Sequence, residues 1–228
     1  MKKKTFYTEA AYIIGILLVA LGTALVERAD FGVSMVVAPA YVIYQKVSQT
    51  FEFFTFGMAE YLLQGVLILL TIILVRKIKI SYSFAFVTTM LYAACLDMFI
   101  ALISFISADG IVFRIVFFVV GLFITSCGVA FFFKTYISPE AYELFVKEVS
   151  EKFNIELHKF KTAYDCCSCL IGLALSFILF GFGKFVGVSY GTVFCALVNG
   201  LLIGIFSKFF DKHFDFKDGL KLRKYFER

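Results

Sequence analysis

The chain has 228 residues, of which 61% are hydrophobic and only 17% are charged, and its mean hydropathy is +0.90. These values lie outside the range of soluble globular domains and indicate a membrane protein. The formal net charge of +5 is what basic cytoplasmic loops supply, so it gives no reason to expect a nucleic-acid partner.

Six apolar blocks of about 20 or more residues follow one another along the chain. A helix rises about 1.5 Å per residue and needs about 20 residues to cross a hydrocarbon core of ~30 Å. The blocks are apolar on all sides and do not alternate with period two, which favours helices over a barrel. The sequence therefore predicts an all-α membrane protein, a single membrane domain, with spans near Tyr12–Val26, Phe56–Val75, Tyr82–Ile106, Ile111–Phe133, Ala163–Gly183 and Val188–Phe210.

Basic residues are distributed unequally between the two sides that these spans define. If the amino terminus is cytoplasmic, all 22 Lys and Arg residues fall on the inner side except Arg28, Lys46, Arg114 and Lys184. This bias predicts a bacterial inner-membrane protein with both termini in the cytoplasm. The segment 211–228 mixes basic and aromatic residues, so we expect it to lie on anionic lipid or, alternatively, to bind a protein partner.

An internal repeat relates the two halves of the chain. The pattern Gly15-x6-Gly22 recurs as Gly121-x6-Gly128, and other motifs recur in the same order at nearly the same offset. Because each unit contains an odd number of spans, the second unit enters the membrane from the opposite side. The sequence therefore predicts two inverted three-helix repeats, an arrangement common in secondary transporters. We assign the four glycines to close helix packing.

Each predicted repeat, about 10–106 and about 111–210, contains a connector between its first and second spans. The first connector predicts a short interfacial helix within Met35–Val47. The second predicts an amphipathic helix on the cytoplasmic surface, with Ser138 as its cap and Pro139 in its first helical position.

Several short motifs lie between residues 10 and 210: Phe31-Gly32-Val33-Ser34, Thr55-Phe56-Gly57, the proline at 139 and Val188-Ser189-Tyr190-Gly191-Thr192. These motifs resemble those of the YczE/YitT-like bacterial integral membrane proteins. The resemblance implies the multi-pass topology and a family without an assigned biochemical function. It supplies no catalytic signature.

Ionisable and amide side chains within the spans are candidates for a substrate path, because they are expensive to place in a membrane. Asp97 is the most deeply placed acid in the sequence and either lines a cavity or is a satisfied core carboxylate. Glu60 and Asp165 lie near the ends of spans two and five at mirrored positions, and either serve as gates or proton sites or reach interfacial water. Asn199 either bridges helices by hydrogen bonds or binds substrate.

Cysteines and histidines predict no metal or catalytic site. Cys166, Cys167 and Cys169 open span five, where a neutral thiol acts as a small apolar packing residue. His158 and His213 lie in basic cytoplasmic segments, and no zinc, haem or nucleotide motif is present. We therefore expect no enzyme activity and no cofactor.

Two functions remain open from the sequence. The first is a transporter or permease for an unknown small solute or ion, with the four polar candidates along its path. The second is a non-transporting scaffold or accessory protein that binds a partner through its cytoplasmic helix and basic tail.

Overall fold

The structure is a computed structural model that describes residues 3–77, 79–106, 110–155, 157–220 and 223. Within these residues, six helices are long and apolar enough to cross a membrane by length and composition. The prediction of a multi-pass, essentially helical membrane protein is confirmed. The elements are β1 (Lys4–Tyr7), α1 (Thr8–Ala29), α2 (Ala38–Val47), α3 (Phe56–Val75), α4 (Ile80–Ser104), α5 (Ile111–Phe132), α6 (Ala141–Phe153), α7 (Leu157–Phe180), α8 (Tyr190–His213) and β2 (Phe214–Lys217).

Two of the long helices begin well before the apolar blocks that predicted them. α1 begins at Thr8 and α7 at Leu157. These additional turns contain charged residues that find partners: Glu9 accepts a hydrogen bond from Tyr136, and Lys161 pairs with Glu143. Hydropathy marks only the part of a helix that is in contact with hydrocarbon, so it underestimates helix length.

Among the described residues, the most extensive helix–helix contact is the crossing of α1 and α5. A Cβ at Gly22 would lie 2.7 Å from the carbonyl oxygen of Gly121, and a Cβ at Gly121 would lie 2.8 Å from the carbonyl oxygen of Gly22. Gly15 and Gly128 approach each other in the same way, at 3.3 and 3.0 Å. Gly22, Gly121 and Gly128 therefore require glycine, because the opposite backbone occupies the space of a side chain. At Gly15 the nearest atoms belong to the Phe132 ring, at 3.0 Å.

The remaining helices are arranged around this crossing. α4 packs against α1, and α8 packs against α5. α3 lies against α4 and α6, whereas α7 lies against α8 and α2. The two short helices lie among the long ones: α2 contacts α7 and α3, and α6 contacts α3, α7 and α4.

A small parallel sheet joins the two ends of the described chain, an element that the sequence did not predict. Lys4–Tyr7 pairs with Phe214–Lys217, and the ring of Phe6 packs against Phe131, Phe214 and Phe216. We call this end of the bundle the sheet end. The basic segment 211–228 thus begins by packing on its own chain, while residues 221, 222 and 224–228 of the predicted tail lie outside the described residues.

The opposite end of the bundle, which we call the far end, contains the α1–α2 and α7–α8 connections. The backbone N–H of Val33 donates to the carbonyl of Gly187 at 2.9 Å, and that of Gly191 donates to the carbonyl of Phe31 at 2.9 Å. Arg114, near the start of α5, forms an ion pair with Asp30 at 2.8 Å. The two connections therefore brace each other at the far end.

The α1–α5 crossing gives a direct test of the fold. We expect Gly22→Ala to lower the melting temperature of the detergent-solubilised protein, because the added methyl forces apart two backbones in contact. Overpacking costs about 1–3 kcal/mol, and each kcal/mol corresponds to about 2–4 °C.

Gly65→Ala is the matched control, because a Cβ at this position in α3 would meet only a Phe86 ring carbon at 3.8 Å. Alanine is favoured over glycine in a helix by about 1 kcal/mol, so this variant should keep or raise the melting temperature. Equal melting temperatures for the two variants would contradict the packing role of the crossing.

Candidate functional site: a cavity between the two short helices

The helix α6 begins inside the bundle and ends at its surface. Its first residue, Ala141, donates its backbone N–H to the side-chain oxygen of Gln64 at 3.0 Å, near the middle of α3. Near its other end, Lys152 donates to the backbone carbonyl of Leu74, at the end of α3. α6 therefore runs beside α3 from the interior to the sheet end. Eight of its residues are buried, so it is not the surface helix that its amphipathic pattern predicted.

The start of α6 also differs from the prediction. The helix begins two residues after Pro139, and Glu140 is the residue that precedes it, without a side-chain cap. Ser138 does not cap the helix, because it lies two residues before the N-cap position; its backbone carbonyl accepts a hydrogen bond from Thr88 Oγ1 at 3.0 Å. The prediction of a Ser138 cap was wrong since Gln64, which is remote in sequence, satisfies the first N–H of the helix.

The helix α2 has the corresponding position beside α7. Its first residue, Ala38, is fully buried, and a Cβ added at Gly172 in α7 would lie 3.1 Å from the Cβ of Ala38. Near its end, Lys46 Nζ lies 5.4 Å from the ring centroid of Phe180, the last residue of α7. α2 therefore runs from the interior to the far end, and the two short helices leave the centre in opposite directions.

A cavity of about 40 Å³ lies between the first turns of these two helices. A water molecule needs at least ~10–15 Å³ of such space, so the cavity admits a ligand of only a few non-hydrogen atoms. Both halves of the chain contribute to its wall, which includes the polar side chains of Thr23, Ser34 and Tyr92 from the first half and Glu140, Lys161 and Asn199 from the second.

A buried amide holds two carboxyl groups near this cavity. Gln64 Oε1 accepts hydrogen bonds from Thr89 Oγ1 at 2.8 Å and from the N–H of Ala141 at 3.0 Å. These two donors fix the amide orientation, so its Nε2 points to Glu60 Oε2 at 3.5 Å and to Glu140 Oε2 at 3.4 Å. The two acids are therefore close neighbours although 80 residues separate them in the sequence.

Burial determines the protonation of Glu140. The side chain is 5% exposed, and removal from water raises the pKa of its carboxyl well above the ordinary value, with further contributions from the charges of Glu143 and Glu60. The hydrogen bond from Gln64 acts in the opposite direction. Burial and the charge of Glu60 also raise the pKa of the Tyr142 hydroxyl, which donates to Glu60 at 2.9 Å. Glu140 thus favours its protonated form when the cavity is empty.

A second group of charges lies on the sheet-end side of the cavity. Lys161 Nζ is 3.4 Å from Glu143 Oε1 and 3.9 Å from Asp165 Oδ1. Glu143 and Lys161 also line a larger cavity of about 160 Å³ that is bounded by Gly204 and Ser207 of α8. This ion pair therefore stands between the central cavity and the neighbouring one.

The sequence-predicted candidates divide between this site and other positions. Asn199 lines the central cavity and accepts a hydrogen bond from Ser126 at 2.7 Å. Asp97 belongs to α4, and its side chain instead contacts the start of α3. There it accepts hydrogen bonds from Thr55 Oγ1 at 2.6 Å and from the Gly57 N–H at 2.8 Å. Its carboxylate fixes a helix terminus and lies outside the lining of the cavity.

The mirrored acids Glu60 and Asp165 lie on opposite sides of α6. Glu60 is fully buried against Tyr142, so the alternative in which it reaches interfacial water is excluded. Asp165 pairs with Lys161, and its neighbours Cys166 and Cys167 are exposed on the outer surface of α7. The cysteines therefore accompany the acid in sequence but face away from it.

Sequence reasoning missed Glu140, Gln64 and Lys161. Glu140 and Lys161 were attributed to a solvated cytoplasmic segment, where charged residues are expected, and Gln64 lies in a span otherwise dominated by leucine and isoleucine. One signal was present: a polar amide and an acid, Glu60 and Gln64, lie one turn apart in an apolar helix, so they share a face. Such a pair requires polar partners in the bundle.

The chain belongs to a family of unknown function, DUF6198, whose family model matches residues 6–208. It is a multi-pass membrane protein of that family. No curated protein and no solved structure matches the chain.

The raised pKa of Glu140 predicts how stability depends on pH. The folded protein holds this proton more tightly than the unfolded chain, so the stabilisation is fully present below the ordinary pKa of 4.5 and is lost as pH rises toward the raised value. We expect the melting temperature of the solubilised protein to fall as the pH rises above the ordinary carboxyl pKa of 4.5.

In Glu140→Gln this fall should be smaller by at least about 3 °C, because the amide has no proton to lose. Glu52→Gln removes an exposed acid in the α2–α3 connection and serves as the control. Identical pH profiles for the protein and for Glu140→Gln would contradict the buried, protonated state of Glu140.

Proposed function

We propose that this protein is a secondary transporter or permease that moves a small solute or ion across the bacterial inner membrane. The observation that carries the proposal is the small cavity between the starts of α2 and α6, which is lined by both polar and apolar side chains. Non-helical backbone at membrane depth is tolerated where protein or a water-filled cavity surrounds it, and broken helices of this kind form the substrate sites of transporters. The proposal involves no catalytic step and no cofactor.

The proposal includes the inverted repeat. Its support is that contacts occur in matched pairs: α1 with α4 and α5 with α8, α3 with α6 and α7 with α2. A cleft of about 390 Å³ at the sheet end involves the α5–α6 connection, and one of about 410 Å³ at the far end involves the α1–α2 connection. Two equivalent clefts on opposite sides of one central site suit alternating access.

Buried ionisable side chains give the second line of support. Glu60, Glu140 and Lys161 lie within the bundle, where charged groups are retained at a cost in stability. In membrane proteins such groups mark ion and substrate paths. A scaffold that only displays its cytoplasmic segments has no physical need for them.

Flux measurements test the proposal. Proteoliposomes with a trapped pH-sensitive dye, combined with currents recorded on a solid-supported membrane, should show protein-dependent responses to at least one of sodium, potassium and ammonium chloride, sodium phosphate and glycine. Glu140→Gln should reduce this flux by at least about tenfold, because it removes an ionisable group from the cavity wall. Glu52→Gln should match the unaltered protein.

Absence of protein-dependent flux for all five solutes would contradict the transporter and favour the scaffold. In that case, a partner captured by the full chain and lost on neutralising Lys212 and Lys217 would identify the basic segment as its binding surface. The YczE/YitT-like resemblance is compatible with either function and stays a prediction.

The orientation is part of the same proposal, and the positive-inside bias supports it. Green fluorescent protein fused after Arg228 should fluoresce in a bacterial host, because the fluorescent protein folds in the cytoplasm. A fusion of alkaline phosphatase at the same position should be inactive. The opposite pattern would invert the assignment of both termini to the cytoplasm.

A further inference from the structure

The side chains around the central cavity carry an excess of acid. Glu60 and Glu140 meet at Gln64, and Glu143 and Asp165 face Lys161. In the part of the chain that the structure describes, this centre contains four carboxyl groups and one ammonium group. An uncompensated buried charge is strongly disfavoured, so protons or a bound cation must supply the missing positive charge.

Three oxygen atoms in the wall of the cavity have no hydrogen-bond partner among the described residues: Glu140 Oε1, Glu143 Oε2 and Thr125 Oγ1. The other oxygen of each carboxyl is engaged, with Gln64 for Glu140 and with Lys161 for Glu143. The two acids are three residues apart, so they share one face at the start of α6. Buried polar atoms without a partner are rare in folded proteins. Two carboxyl oxygens and one hydroxyl oxygen can all accept when Glu140 is ionised, so they suit a ligand that donates hydrogen bonds.

Aromatic rings complete the wall. Tyr92, Phe132 and Tyr142 all line the cavity, and the faces of such rings attract ammonium groups. Ca²⁺ needs six to eight oxygen ligands, and Mg²⁺ needs a nearly ideal octahedron of six. No group of three or more His, Cys, Asp or Glu suited to a metal exists within the described residues. An alkylammonium group, in contrast, has three N–H donors, one for each free acceptor.

We propose that the central cavity binds a small ammonium-type cation, ammonium or a short primary amine, which donates hydrogen bonds to Glu140, Glu143 and Thr125. This assignment names the substrate class of the proposed transporter and rests on that proposal. The volume of about 40 Å³ limits the ligand to a few non-hydrogen atoms. Lys161 stays paired with Glu143 and Asp165, the bound cation balances the charge of Glu140, and protons on the other carboxyl groups supply the remaining positive charge.

A proton and the cation compete for Glu140. Because its pKa is raised, the empty site holds a proton on this carboxyl, and the arriving N–H donors replace the O–H bond while the proton passes to the buffer. The other titratable groups that face this centre are Tyr12 of α1, Glu60 of α3, Tyr92 of α4, Tyr142 and Glu143 of α6, and Lys161, Tyr164 and Asp165 of α7. Binding of one cation should therefore release about one proton near neutral pH.

Isothermal titration calorimetry on the purified, solubilised protein tests this site without requiring transport. Methylammonium chloride is titrated in two buffers with different heats of ionisation, and the difference gives the number of protons released. We expect saturable binding with about one proton released per cation. Tetramethylammonium chloride has the same charge but no N–H donor, and it should not bind; sodium and potassium chloride should not bind either.

Two variants locate the site. Glu140→Gln should weaken methylammonium binding by at least about tenfold and abolish the proton release, because it removes the charged acceptor. Thr125→Val keeps the side-chain shape, removes one acceptor and should weaken binding by about fivefold with proton release retained. Glu52→Gln is the control and should leave both quantities unchanged. If Glu140→Gln does not fold, the Thr125→Val result decides.

No methylammonium binding by folded protein would overturn the proposal, as would equal binding of tetramethylammonium, sodium or potassium. Flux of another solute together with no amine binding would overturn this site and leave the transporter standing. Binding with proton release but without flux of any tested solute would support the site and contradict transport.

Discussion

Between α1 and α5 no side chain separates the two backbones, and the carbonyl groups of Gly22 and Gly121 occupy the space that a Cβ would need. Without a hydrophobic driving force between helices in lipid, close packing and polar contacts hold a membrane bundle together. The remaining long helices pack outward from this pair, with α4 on one member and α8 on the other. The central cavity includes residues from both members of the pair, so its shape depends on the same contact.

The two short helices follow from a second constraint. Every backbone polar group inside a membrane needs a partner within the protein. A helix can therefore start at the centre only if other groups of the protein accept hydrogen bonds from its first N–H groups. Gln64 accepts the first N–H of α6, and Pro39, at the start of α2, has no N–H to satisfy. Both helices then run outward beside a long helix, α6 to the sheet end and α2 to the far end. Their starts leave a small space, lined by polar and apolar side chains, that long, uninterrupted helices would have filled.

Electrostatics then gives this space its chemical character. The acids near it outnumber the single base, and Gln64 places Glu60 and Glu140 close enough that ionisation of one opposes ionisation of the other. Such an arrangement is stable when a proton is present and becomes receptive to a cation when the proton leaves. Exchange of a proton for a cation at one carboxyl is a simple physical basis for coupled transport. Such coupling requires only that the proton and the cation never occupy the carboxyl at the same time.

The sequence by itself determined the membrane class, the number of long helices and the glycine pattern, because hydropathy and residue spacing are local properties of the chain. It also marked Glu60 and Asn199 as unusual, since a polar residue in an apolar helix is conspicuous. Only the tertiary structure decided which polar groups meet. Glu140 lies in a charged segment of the sequence that suggests solvent exposure, yet α6 begins inside the bundle and Glu140 is buried there beside Gln64. The paired strands at the sheet end were equally hidden, because four-residue segments at opposite ends of the chain carry no shared local signal. Burial depends on where a segment packs, and that is a property of the whole fold.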